Sequence, residues 1–334
     1  MIRYLLAAII FLSPAAYAVV ELFSKPNDGT TLMPKVNKAL NIPQAVGYDS
    51  IRVKNTAEKP LPTGGAFRVV CTPSHMSNDD PLVFPNQPGA THLHTFFGNT
   101  TTNYASDVSN MSAIGNSTCK GGLINRSAYW IPSMIDTSIN KAMVPDKTIM
   151  YYKAGRVPQA LVQPPPKGLR ILAGNPKATT SETSSKTYYT CAGRTPFYGW
   201  KTSIPNCNVG EYMNMFVDFP QCWDGINKDS PNHKDHMAYP ALTIKTANHC
   251  PITHPIGIPH ISINTNYKVL KAGETKNWRL ASDNYATSLP GGYSGHGDWV
   301  SGWNQIFIEG FVKNCINKGV DCHASLLGDG RMIY

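Results

Sequence analysis

The sequence predicts a mainly β protein: an antiparallel, loop-rich, sandwich-like domain, disulfide-stabilised and carrying one C-terminal α-helix. Three observations predict it. Short runs rich in aromatic and β-branched residues alternate with clusters of Gly, Pro, Asn and Asp. Eight cysteines, an even number, are spread along the chain. One late segment repeats apolar residues at helical spacing.

The strand-like runs are Phe67 to Cys71, Tyr129 to Ile135, Thr148 to Lys153, Leu169 to Ala173, Tyr212 to Phe219, Ala241 to Thr246 and His260 to Asn264. Gln163 to Pro166 reads as polyproline II, and Ala178 to Lys186 as a Ser/Thr-rich surface loop. From Trp303, the residues Phe307, Ile308, Phe311, Val312, Cys315 and Ile316 form a helical stripe that Gly319 terminates.

The chain begins with Arg3, an apolar run from Leu5 to Leu12, and Ala16-Tyr17-Ala18. This is the pattern of a signal peptide over 1–18, and it predicts a secreted or periplasmic protein. Residues 19–65 read as a turn-rich N-terminal arm with a short amphipathic helix around Met33 to Leu40, and residues 66–334 as a single β-rich domain. No later stretch approaches the roughly 20 apolar residues of a transmembrane anchor.

In an exporting compartment the cysteines read as disulfides. Joining near neighbours gives Cys71–Cys119, Cys191–Cys207, Cys222–Cys250 and Cys315–Cys322, although other pairings stay open. A cysteine metal site is disfavoured because no C-x-x-C pair occurs. The formal charge of +9 suits loose association with anionic polymers. Charged residues are only 15% of the chain and form no basic run, so no specific nucleic-acid partner is expected. Sequons stand at Asn99, Asn110, Asn116 and Asn125, with meaning only in a eukaryotic secretory host.

Chemistry-bearing residues gather in a few segments. His92 and His94 flank Leu93; on a strand their side chains share one face, where they would grip a polar ligand or bind a metal ion. His233 and His236 are spaced for one helical turn, with Asp229 or Ser230 as its cap. Tyr293, His296, Asp298 and Trp299 combine an imidazole, a carboxylate and aromatic faces suited to sugar rings, and Trp223 precedes Asp224 in a similar setting. For each pair the plainer alternative is solvated or hydrogen-bonded side chains in turns. The chain has no G-x-S-x-G elbow, H-E-x-x-H motif or phosphate-binding glycine loop.

Taken in order, these segments resemble a family of secreted fungal and bacterial proteins, the domain of unknown function numbered nineteen ninety-six, sometimes joined to sugar-binding WSC modules. The resemblance rests on Asp80-Pro81-Leu82-Val83, Pro88-Gly89, His92-Leu93-His94, Ser117-Thr118-Cys119 and Tyr129-Trp130-Ile131-Pro132. It continues through Cys222-Trp223-Asp224-Gly225, Asp229-Ser230-Pro231 with His233 and His236, Cys250-Pro251 with His254-Pro255, and His296-Gly297-Asp298. It implies an extracellular domain facing polysaccharide or cell-wall glycan and transfers no catalytic residue.

Three functions follow as expectations. The first is a secreted polysaccharide hydrolase with Asp80, Asp224, Asp298 and His296 as catalytic groups. In that reading His92, His94, His233, His236, Tyr293, Trp299 and Trp223 bind substrate. The second is a glycan-binding protein without catalysis. The third is a metal-dependent enzyme holding one divalent ion on His92 and His94, with His233, His236 or His296 completing the set.

Overall fold

A computed structural model describes residues 32–37, 42–107, 109–181, 186–193, 195–323 and 325–334. The segment 1–18, expected as a signal peptide, and residues 19–31 lie outside the described residues, as does part of the 178–186 loop.

Ten strands in two five-stranded antiparallel sheets position everything else. They are β1 (Ala66–Cys71), β2 (Pro73–Ser77), β3 (His94–Gly98), β4 (Ala128–Pro132), β5 (Lys147–Lys153), β6 (Arg170–Gly174), β7 (Thr187–Ala192), β8 (Tyr212–Asp218), β9 (His260–Lys268) and β10 (His296–Val300). The first sheet has the order β7-β8-β9-β5-β1 and the second β2-β3-β4-β10-β6. Residues alternate across each strand. Met150, Tyr152, Met213, Val217 and Ile263 of the first sheet meet Phe97, Tyr129, Ile131, Ile171 and Trp299 of the second in one buried core. Gly297 faces that core too. A Cβ there would press on Val217 and Ile131, so glycine lets the two sheets approach at this point.

The outer face of the second sheet is also covered. Phe96, Trp130, Ala128 and Val300 project from it into a smaller apolar cluster with Leu82, Val83, Phe84 and Met111. The chain between β2 and β3 therefore folds over this face as a flap. Asp80 starts its turn, accepting the backbone N–H groups of Leu82 and Val83, each at 2.9 Å.

The helical stripe forms α1 (Gln305–Phe311) followed by a π turn, Val312–Ile316, with Asn304 capping the start by accepting from Ile306 N. Phe311 stacks on Phe67 at 4.2 Å, and Trp303 donates its indole N–H to the Tyr152 hydroxyl, tying the helix to the first sheet. The disulfides join Cys71 to Cys119, Cys191 to Cys207, Cys222 to Cys250 and Cys315 to Cys322. Among the described residues no helix is long and apolar enough to cross a membrane.

Several expected elements differ. Residues 33–37 carry no helix, and the remainder of that expected element lies outside the described residues. Val53–Asn55 pairs with Arg331–Ile333, so the later part of the arm is hydrogen-bonded to the C-terminal strand. Ala241 to Thr246 is a turn instead of a strand: Ile244 N bonds back to Ala241 O, and Ala241 N to His249 O. The expected Tyr129 to Ile135 strand divides at Ser133 into β4 and a short strand, Met134–Asp136, that pairs elsewhere. Two sequons are structural: Asn99 and Asn125 are fully buried, and the Asn99 amide donates to Met111 O and Ile114 O.

Candidate metal centre

The register of the second sheet brings the site together on its outer face. Phe96 of β3 is opposite Trp130 of β4, Trp130 opposite Asp298 of β10, and Asp298 opposite Leu172 of β6. One step along, His94 pairs with Pro132, and His296 with Gly174. His94 and His296 thus stand two strands apart, and their rings lean together to a centroid distance of 5.7 Å. His92, in the bend that leads into β3, brings its ring 4.3 Å from that of His94 and 4.9 Å from that of His296. One nitrogen from each ring lies within 4.8 Å of the others, and all three side chains are buried.

Hydrogen bonds fix how two of these rings are protonated. His94 Nδ1 is 3.1 Å from Asp79 O and His296 Nδ1 is 2.8 Å from Ser294 O. A carbonyl oxygen only accepts, so each Nδ1 carries the proton and each Nε2 is left with a bare lone pair. Among the described residues His94 Nε2 has no hydrogen-bond partner. His92 Nε2 and His296 Nε2 face each other at 3.1 Å, close to the about 3.3 Å separating two nitrogens bound to one tetrahedral zinc. Burial holds all three imidazoles neutral: His92 is well below its usual range, His94 falls to about 3 and His296 to about 4. Neutral imidazoles with backbone carbonyls behind them are the form that ligates metals.

The carrier loops explain this aim. Gly174 has φ +92, and a Cβ there would collide with Gly295 O and His296, so glycine allows β6 to approach the histidine strand. Asp283, fully buried, organises the loop before β10. It accepts from Leu280 N, Gly292 N, Ser294 N and Ser294 Oγ, and the Ser294 carbonyl in turn holds His296.

A cavity of about 220 Å³ opens over His92 and His296, with His94 outside its lining; Asp80, His92, His233, His296 and Asp298 line it with apolar walls from Val83, Leu172, Ala173, Pro176 and Pro231. Lys177 and Lys234 also contribute to the lining. Both carboxyls are buried. Burial pushes Asp80 up to about 6 against its two backbone hydrogen bonds. Burial, then the neighbouring Asp80 charge, raises Asp298 well above the usual carboxylate range.

Other candidates fall elsewhere. His236, expected among the metal ligands and substrate contacts, has both nitrogens committed, Nε2 to Arg170 O at 2.6 Å and Nδ1 to Ser230 Oγ at 3.0 Å. The expected helix around it is a turn in which His233 has φ 57, so the two rings diverge. His233 does reach the cavity wall, its Nδ1 held at 2.9 Å by Asp229, which also binds Arg170. Asp224 is outside the cavity and folds its own turn. Its Oδ1 accepts from Ile226 N and Asn227 N and its Oδ2 from the Asn227 amide; together these outweigh burial and leave its pKa lowered.

The expected sugar-stacking aromatics are not at the cavity. Trp299 points to the opposite face of β10 and is fully buried between the sheets. Tyr293 stacks on Tyr285 at 4.9 Å, and Trp223 donates its indole N–H to Asn227 O. Among the described residues no Trp, Tyr or Phe lines the cavity. Sequence reasoning missed Ser294, Asp283 and the Asp79 carbonyl, which act through backbone atoms or through another residue and leave no motif.

A family model described as a domain of unknown function (DUF1996) matches residues 80–303, a span that contains the whole trio and both cavity carboxyls. Neither a curated protein nor a solved structure matches the chain.

Proposed function

From a chain that belongs to the DUF1996 family, whose description assigns no activity, we propose a metal-dependent hydrolase in which His92, His94 and His296 hold one zinc-class divalent ion through their Nε2 atoms. The observation that carries this reading is the convergence of three buried, neutral imidazoles, two of them oriented by carbonyl oxygens so that bare lone pairs face a common point. Three imidazole ligands leave a fourth position open, where such an ion lowers the pKa of a bound water to about 7.

The chain's own groups supply the rest. Asp298, raised by burial well above the usual carboxylate range, would donate a proton to a leaving group, while Asp80, raised by burial to about 6, would accept one. Their carboxyls also offer the negative charge that a buried dication requires once the protons leave. A cavity of about 220 Å³ admits one sugar-sized unit. The substrate class that suits it is the end or a side branch of an extracellular polysaccharide, held by polar contacts and not by stacked rings. The four disulfides fit an oxidising compartment.

Metal analysis tests the core of this reading. Protein exported with its disulfides from metal-replete culture is expected to carry about one equivalent of metal, and His94→Ala less than about a tenth. Wild-type protein with less than a tenth of an equivalent, still metal-free after dialysis against zinc, would end the proposal.

A further inference from the structure

The outer face of the first sheet carries chemistry that the metal centre does not use. Its central row runs Tyr188, Phe216, Asn264 and Ile149 across β7, β8, β9 and β5. The next row adds Asn214 and Asn266, whose side chains bond at 2.6 Å. Trp200 lies over this face, 5.3 Å from Phe216 and 6.5 Å from Tyr188, and Phe197 packs on it at 5.8 Å. Phe197 is 62% exposed and Trp200 49%, which is unusual for two large neighbouring rings.

Beside Tyr188 a cleft of about 400 Å³ is lined by Arg156, Lys186, Asp218, Tyr239 and His260. Its single carboxylate, Asp218, contacts His260. The exposed Arg156 guanidinium has no carboxylate partner among the described residues, and the Lys186 ammonium sits over the Tyr239 ring at 4.9 Å. Further lysines stand nearby: Lys153 over Tyr151 and Lys268 over Tyr212 at strand ends on this side, and Lys201 over Tyr198, bridged to Tyr189 of β7.

We propose that this face and its cleft bind an acidic, uronate-bearing polysaccharide, separately from the metal centre on the other sheet. Exposed rings match the apolar C–H faces of pyranoses, and the half-buried Asn264 and Asn266 amides, the latter held by the buried Asn214, match their hydroxyls. The cation excess in the cleft complements a carboxylate on the sugar. A single-stranded polynucleotide would also meet rings and cations, but it needs a cation for each phosphate. Here the middle of the face is amide-bearing and the cations stand at its margins.

The test is titration of the intact exported protein with sodium polygalacturonate, its methyl-esterified form and a single-stranded polynucleotide. Saturable binding to polygalacturonate is expected, weakened about tenfold by Trp200→Ala and at least about fivefold by Arg156→Gln combined with Lys186→Gln or by esterification. The metal content of the His92, His94 and His296 site should be unchanged in every variant, which separates this surface from the proposed enzyme. Equal affinity of the variants, no saturable binding, or tighter binding of the polynucleotide overturns the proposal. Should Trp200→Ala fail to fold, the exposed Arg156 and half-buried Lys186 decide alone.

Discussion

The two faces of the second sheet are built from the same strands and do opposite work. On β10, Asp298 projects outward beneath the flap and Trp299 inward between the sheets, one residue apart. The inner face is apolar and closed. The outer face begins as an apolar cluster around Phe96 and Trp130, and one row further along, at His94 and His296, it turns polar. Proximity in sequence therefore says little about shared chemistry in a strand. Residues two apart belong together, and neighbours are separated by the thickness of the sheet.

The sharpest way to break this comparison is to truncate one side chain on each face. Trp299→Ala empties a large volume in the main core and is expected to lower stability by about 3–5 kcal/mol, read from denaturant unfolding. The molecules that remain folded should keep their metal. His296→Ala should do the reverse, abolishing metal binding while costing less stability, because its Nε2 makes no bond except to His92. If Trp299→Ala were the variant that lost metal per folded molecule, the assignment of faces would be wrong.

Next in size is the loop that aims His296. Asp283 touches no histidine; it is a positioning residue acting through Ser294. Asp283→Asn keeps the shape but replaces one acceptor oxygen with a donor facing backbone N–H groups. Metal affinity is expected to fall about 10–100-fold, the range typical of groups behind the ligands. Competition with a chelator measures it on protein shown to be folded. A purely structural role would lower the unfolding midpoint of the metal-free protein and leave the affinity of the folded fraction alone.

The same geometry explains what the sequence disclosed. His92 and His94 were recognisable as a pair from their spacing of two, although His92 stands in the bend before β3 and not on the strand. The C-terminal helix was recognisable because Phe307, Ile308, Phe311, Val312 and Ile316 repeat at its pitch. The pairing of His94 with His296 was not, since it depends on register across β4, with Pro132 between them. His236 misled because a spacing of three suits a helix. The chain instead turns there, with the Asn232 side chain accepting from Lys234 N and Asp235 N. Trp299 misled because an aromatic beside a catalytic-looking residue on a strand faces away from it, and Tyr293 because it lies in the turn before β10, stacked on Tyr285.

Asp224 gives the smallest and most discriminating effect. It follows Trp223 and precedes a glycine, as a catalytic carboxylate might, yet three donors from its own turn satisfy it and it does not line the cavity. Asp224→Ala should therefore cost about 1 kcal/mol of stability through the lost turn bonds. Metal content and any turnover should be unchanged, whereas Asp298→Asn, at a carboxyl inside the cavity, should remove turnover and leave the fold intact. Parallel assays of the two variants on one substrate separate a carboxylate that shapes the chain from one that meets the reacting bond. Loss of turnover in Asp224→Ala with full metal occupancy would mean that the reaction takes place away from the histidine trio.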